Sequence, residues 1–240
     1  MRHSLILLCT SLALVVPTSA TAVTSGESDG NGHPNVGALV ADLPGSGLTV
    51  LCSGTLIAPT VFLTAGHCTD GLTAPVYVTF GSTLDKDSWT LIPGTPETAP
   101  GFGHDRSDPR DLGVVMLDNA PAGIAPAQLA SADSAGSLKG GTVTNVGYGY
   151  YERQTGGGQP RFLYDGVRRA STSTVKSVTS SLIRTGSGVC YGDSGGPRFA
   201  GQLLVAVTSS GDAACAGMST GYRIDTPAAR AFLGGFITLP

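Results

Sequence analysis

The sequence predicts an all-β chain built in two strand-rich halves and closed by a short helix. Three observations point there. First, 35 glycines and 15 prolines punctuate short apolar runs, the pattern of strands joined by turns. Second, no long amphipathic stretch, heptad array, fixed-period repeat or zinc-ligand spacing is present to suggest another class. Third, a Pro/Ala/Gly/Ser-rich stretch at 119–139 separates an early group of apolar runs from a late one. At 240 residues, 41% hydrophobic and 13% charged, the chain is large enough for a substantial core. Its net charge of −3 argues against nucleic acid or an anionic membrane as partner.

Taken in order, residues 1–22 read as a secretory signal peptide. Arg2 and His3 precede an apolar run at 5–16, then Pro17 and small residues, with Ala20-Thr21-Ala22 as cleavage site. The run is too short for a permanent membrane span, so the mature chain is expected to begin at Val23, secreted and free of the membrane. Cys9 follows Leu8, which is not the small residue a lipidation site favours. Strands are expected at 36–40, 48–55, 61–64, 76–81 and 113–117 in a first half, 23–120. The connector spans 121–139. Strands at 141–147, 162–174, 203–209 and 221–224 follow in a second half, 140–240, with a Gly-rich mobile surface loop at 150–160. Thr226 as N-cap and Pro227 as first helical residue open a helix that Gly234 and Gly235 stop.

The chemistry concentrates in Val189-Cys190-Tyr191-Gly192-Asp193-Ser194-Gly195-Gly196-Pro197. One serine among glycines sits where the backbone can bend sharply and offer N–H groups beside the hydroxyl, as an acyl-transfer nucleophile needs. Leu63-Thr64-Ala65-Gly66-His67-Cys68 supplies a base, and Asp111 heads an apolar run, Leu112-Gly113-Val114-Val115-Met116-Leu117. Gly192 to Gly196 also fits G-x-S-x-G, but that arrangement needs a histidine after the serine. The four histidines, His3, His33, His67 and His104, all precede Ser194. A subtilisin order needs an acid before the histidine, and Glu27, Asp29 and Asp42 sit in turn-like contexts. Asp105 and Asp108, flanked by Arg106, Pro109 and Arg110, read as a solvated loop. Asp111 alone enters an apolar strand, as a buried orienting carboxylate must.

In the order His67, Asp111, Ser194 the three segments resemble the chymotrypsin/trypsin family of secreted serine proteases, bacterial-type, across the whole mature chain. The 44-residue separation of His67 and Asp111 suits that family. The resemblance implies two six-stranded antiparallel β-barrels with the active site between them. It also implies a serine-type endopeptidase with a His67–Asp111–Ser194 triad and an oxyanion hole from the N–H groups of Gly192 and Ser194. Asp193 is then expected to pair with the Val23 amine, freed by signal cleavage itself. Disulfides are implied between Cys52 and Cys68 and between Cys190 and Cys215, each worth roughly 3 kcal/mol in the chain-entropy model. The substrate pocket is implied at Gly188, Val189, Ser209, Ser210 and Gly211. Glycine at 188 places no charge for a cationic side chain, and Thr208 stands where glutamate-selective members carry histidine, leaving a small or apolar residue as expectation. Tyr148 replaces the tryptophan of the family's Gly-Trp-Gly turn. Protein or peptide substrates, no cofactor, no metal and a monomer complete the expectation. The competing function is a catalytically silent protease-fold binding protein, which normally shows a broken triad.

Overall fold

The computed structural model describes residues 26–73, 75–154 and 161–240. The expected signal segment, Val23 and residues 155–160 of the Gly-rich loop lie outside the described residues. After a two-residue strand β1 (Glu27–Ser28) come β2 (Val36–Leu43), β3 (Gly47–Ala58) and β4 (Val61–Thr64). A single helical turn, α1 (Gly66–Thr69), leads on to β5 (Val76–Thr79), β6 (Ile92–Thr98) and β7 (Gly113–Leu117). They close a barrel in the order β2-β3-β4-β7-β6-β5, β5 pairing back onto β2. Successive side chains of β2 point opposite ways, yet six consecutive residues are buried. Leu39 and Ala41 enter the first barrel's core with Leu56, Phe62 and Val115, whereas Val36 and Ala38 pack against Val146, Tyr148 and Phe199 of the other half.

The second half contains β8 (Gln128–Leu129), a 3-10 turn (Ser134–Leu138), β9 (Thr142–Gly147), β10 (Glu152–Gln154) and β11 (Arg161–Leu163). Next come β12 (Arg169–Val178), β13 (Leu182–Thr185), β14 (Pro197–Ala200), β15 (Leu203–Gly211), β16 (Ser219–Arg223) and α2 (Pro227–Leu233). The path β12-β13-β16-β15-β14-β9 returns to β12 through the β9–β12 ladder, closing a second six-stranded barrel. β1 extends it beside β12, and β8 joins β15 in parallel. Thus the chain forms two antiparallel six-stranded barrels with a short C-terminal helix. Thr226 caps that helix by accepting the Ala229 N–H at 3.2 Å.

Several strands differ from the expected ones, each for a physical reason. β6 carries Pro93 and Pro96, which argue against a strand, but each removes only a donor. Pro93 still pairs opposite Tyr77 and Pro96 opposite Val115. The expected strand 162–174 is two strands, because β11 pairs locally with β10 while β12 begins beyond a turn at Gly166 (φ 70). β13 and β14 were hidden by their polar residues Arg184, Thr185 and Arg198. A buried ion pair ties the N-terminal strap down: Arg168 Nε donates to Asp29 Oδ2 at 2.9 Å. Its other nitrogens bond Val36 O, Phe80 O, Gly30 O and the Tyr148 hydroxyl, so one side chain fastens strap, first barrel and second barrel.

Candidate active site

β4 ends at Thr64, and the α1 turn then presents His67 at the surface while its neighbour Cys68 is buried. Cys68 is bonded to Cys52 of β3, which locks the turn to the barrel wall. Asp111 lies just before β7 and is 3% exposed. Its Oδ1 accepts the His67 backbone N–H at 2.9 Å, and His67 Nδ1 lies 3.0 Å from Oδ2. A carboxylate can only accept, so Nδ1 carries the proton and Nε2 is left as the basic nitrogen. The Ser209 hydroxyl donates to Oδ2 at 2.6 Å. Burial alone pushes the Asp111 carboxyl up, but the hydrogen bond and charge of His67, with the Ser209 bond, hold it below the usual range. The neighbouring Asp105 is exposed, and Asp108 accepts from the Tyr222 hydroxyl at 2.6 Å.

Ser194 is half-buried in a loop whose successive peptide planes are each tied. Tyr191 O accepts from Tyr150 N–H at 2.9 Å, holding the plane that carries the Gly192 N–H. Gly192 O accepts from the Ser53 hydroxyl at 2.8 Å, and Asp193 N–H donates to Cys190 O at 3.1 Å. Asp193 O accepts from Gly196 N–H at 2.9 Å, holding the plane that carries the Ser194 N–H; Ser194 O accepts from Ser53 N–H at 2.8 Å. In a trans peptide the N–H points away from its carbonyl, so tying the carbonyls aims the opposite N–H groups. Among the described residues neither the Gly192 nor the Ser194 N–H donates to a protein acceptor. Two aimed, unspent donors beside a hydroxyl are what a developing oxyanion requires. Gly192 has φ 93, where a side chain is strained.

Asp193 points the other way, 2% exposed. Oδ1 accepts from Gly149 N–H at 2.9 Å and Oδ2 from Cys190 N–H at 2.8 Å. A Cβ on Gly149 would stand 2.5 Å from the carboxylate, so only glycine lets the turn close on it. Burial raises this carboxyl to about 7 despite those two bonds and the Arg169 and Arg198 charges. Arg198 is itself fully buried, its guanidinium bonding the Thr185 and Ser219 hydroxyls at 2.9 and 3.0 Å. Burial lowers it to about 9, partly offset by Asp193.

His67 and Ser194 line one cleft of about 680 Å³, with Tyr148, Tyr150, Tyr164 and Tyr191 among its walls. Ser194 and Tyr191 also line a smaller pocket of about 230 Å³, formed with Val189, the Cys190–Cys215 disulfide, Thr208, Ser210, Gly211 and Asp212. Gly188 and Ser209, expected in that pocket, are not in its lining. Ser209 is turned to Asp111 instead, and the Gly188 carbonyl is held behind the wall by the Ser171 hydroxyl at 3.0 Å. Asp212 is in the lining, its carboxylate accepting the Ala214 N–H at 2.9 Å and the Gly217 N–H at 2.5 Å. A cluster of Cys52, Cys68 and His67 has metal-like spacing, but both thiols are spent in the disulfide.

The sequence reading missed Ser53, whose hydroxyl reaches the nucleophile loop from the other barrel, and Arg198. A serine in an apolar strand carried no signal for Ser53. For Arg198 the signal was available, as a charge between Pro197 and Phe199 in an otherwise strand-like stretch. The family model described as Trypsin matches residues 25–232. A trypsin of Saccharopolyspora erythraea is 32% identical over 182 residues, covering 67% of this chain and 75% of that protein. Streptogrisin-D of Streptomyces griseus is 28% identical over 180 residues, 73% of this chain and 41% of that protein. In fold, the chain superposes on neuropsin, a serine protease expressed in the limbic system of mouse brain, with a TM-score of 0.67 at 20% identity, over 83% of this chain and 93% of that one. With the family match running from the N-terminal strap into the C-terminal helix, and two barrels of the same fold around the cleft, this chain belongs to the trypsin family and is a serine-type endopeptidase.

Proposed function

We propose that the chain is a secreted endopeptidase that cleaves peptide bonds through an acyl-enzyme at Ser194. The observation that carries this is His67, bonded to the buried Asp111, lining one cleft with Ser194, beside the unspent N–H groups of Gly192 and Ser194. Ser194 Oγ attacks the scissile carbonyl while His67 Nε2 takes its proton, and the carbonyl oxygen becomes an oxyanion held by the two N–H groups. Collapse expels the amine, which takes the proton from His67. Water then attacks the ester by the same route, releasing the acid and restoring Ser194. Asp111 stays ionised throughout and steadies the imidazolium.

The leaving group must reach the proton on His67, so it belongs in the larger cleft. The acyl-side chain then enters the smaller pocket, which has no His67 in its lining. That pocket's volume and its Val189 and disulfide walls favour a small or medium apolar residue, and both Asp212 oxygens are engaged by backbone N–H groups. Export by removal of residues 1–22 frees the Val23 amine to pair with the buried Asp193.

Ser194→Ala tests the reading. It should fold and be secreted normally, yet turn over peptide substrates at least a thousandfold more slowly than wild type. A variant keeping more than about a thousandth of wild-type turnover would sink the assignment of the nucleophile. A cleavage profile on a mixed peptide library should be richest for small and medium apolar residues before the cut. A dominant preference for Arg or Lys there would overturn the pocket assignment alone.

A further inference from the structure

We propose that the Ser53 hydroxyl is a positioning residue for the oxyanion hole, acting from the first barrel on a loop of the second. Ser53 lies on β3 and is completely buried. Its Oγ has two neighbours, Tyr148 N–H at 3.0 Å and Gly192 O at 2.8 Å. The first can only donate, so the hydroxyl proton has one place to go, the Gly192 carbonyl. Meanwhile the backbone N–H of the same residue holds the Ser194 carbonyl at 2.8 Å. One residue therefore grips the carbonyls of both residues whose N–H groups would bind the oxyanion. The main-chain grip survives any side chain, but the grip on Gly192 exists only because this position carries a hydroxyl.

That second grip matters because Gly192, with φ 93, has no side chain of its own to hold its backbone in place. The plane between Gly192 and Asp193 sits between the two donor planes. It is tied at one end by Ser53 and at the other by Cys190 O. Releasing the Ser53 end lets that plane rotate and turns the neighbouring Gly192 N–H off its aim. Substrate binding depends little on the hole, since its donors are used fully only when the oxyanion forms. Ser53 also receives Tyr148, whose hydroxyl accepts from Arg168 at 3.3 Å, so the hydroxyl joins the nucleophile loop to the strap network of Asp29.

This inference rests on the acyl-enzyme reading, and its test separates the two. In Ser53→Ala, kcat should fall about tenfold with KM within about twofold of wild type, a smaller loss than the hundredfold or more of deleting a donor outright. Affinity for a peptide aldehyde, whose adduct places an oxyanion in the hole, should fall by the same factor. Affinity for the matching product peptide should not move. Unchanged kcat in a folded Ser53→Ala, or a fall in kcat with undiminished aldehyde affinity, would overturn the positioning role while leaving Ser194 as nucleophile. Should Ser53→Ala fail to fold, Ser53→Cys preserves the shape with a weaker donor. Its kcat and aldehyde affinity should fall together, and wild-type values for both would equally overturn the proposal. If instead Ser194→Ala retained wild-type turnover, the acyl-enzyme reading itself would fail.

Discussion

Asp111 accepts three hydrogen bonds from two residues, and the two from side chains have separable effects in the proposed chemistry. The His67 ring bond sets the tautomer, so Asp111→Asn, which offers an amide N–H toward Nδ1, should lower kcat by about 10⁴-fold. The Ser209 bond steadies the carboxylate without touching the ring. A hydrogen bond to a charged group is worth about 1.5–3 kcal/mol, so Ser209→Ala should cost roughly tenfold or more in kcat/KM. Steady-state kinetics on the two variants check both, and a Ser209→Ala enzyme within twofold of wild type would show the bond to be idle. As candidates, His67, Asp111 and Ser194 were legible in the sequence because their types, order and contexts point to that chemistry, and the structure brings His67 against Asp111 and into one cleft with Ser194. Ser209 was legible as a site residue but not in its role. Its neighbour Ser210 lines the pocket, and alternation along β15 sends the side chain at 209 to the carboxylate instead.

Among the elements, β1 and the strap after it depend on one buried pair. Asp29 is held down at about 2: burial raises it, but hydrogen bonds from His33 and Arg168 outweigh that. Its folded value lies below the ordinary one, so the stability it contributes is full above about pH 4. That contribution drains away as pH falls toward 2. Urea midpoints for wild type should therefore drop across this window, and Asp29→Asn should be less stable at pH 6 but flatter from pH 4 to 2. Equal slopes for the two proteins would contradict the pair's role. Arg168→Met should cost up to about 3 kcal/mol at neutral pH, because the buried Asp29 carboxylate loses its ion-pair partner and keeps only its His33 bonds. Strands with clean apolar runs, such as 36–40 and 113–117, were legible in the sequence. Those whose residues answer to a distant partner were not: β6 accommodates Pro96 because its pairing with β5 ends at Gly94, leaving Pro96 beside β7 alone, and β14 carries Arg198 because β13 and β16 supply hydroxyls for it.

At the scale of the whole molecule, the proposed chemistry needs the nucleophile loop locked, and Asp193, bonded to the Gly149 and Cys190 N–H groups, is where the proposed Val23 pairing would join that lock. In a chain that continues before Val23 the nitrogen there is an amide and brings no charge. The Asp193 carboxyl, raised to about 7 by burial, then binds a proton between about pH 4 and 7 that the unfolded chain does not. Stability should fall as pH rises through that window, by on the order of 4 kcal/mol. A free Val23 ammonium would hold the carboxylate ionised and remove the loss. In a Ser194→Ala background, the form beginning at Val23 should thus be as stable at pH 8 as at pH 5, and a form with residues added before it markedly less so. Identical pH profiles would refute the pairing. The two-barrel architecture was legible through the resemblance, whereas the contacts between barrels, Ser53 to Gly192 above all, join residues 139 apart in sequence and leave no local pattern.

The most direct measurement is covalent labelling of the native enzyme with diisopropyl fluorophosphate, followed by intact mass and peptide mapping. In the proposed chemistry the fluoride leaves as Ser194 Oγ attacks phosphorus, and the adduct's oxygen would occupy the hole between the Gly192 and Ser194 N–H groups. One adduct per chain, on Ser194, with loss of activity in step and labelling slowed by orders of magnitude in His67→Ala, is the expected result. An enzyme that remains active with Ser194 unmodified, or one labelled equally fast without His67, would contradict the proposed chemistry.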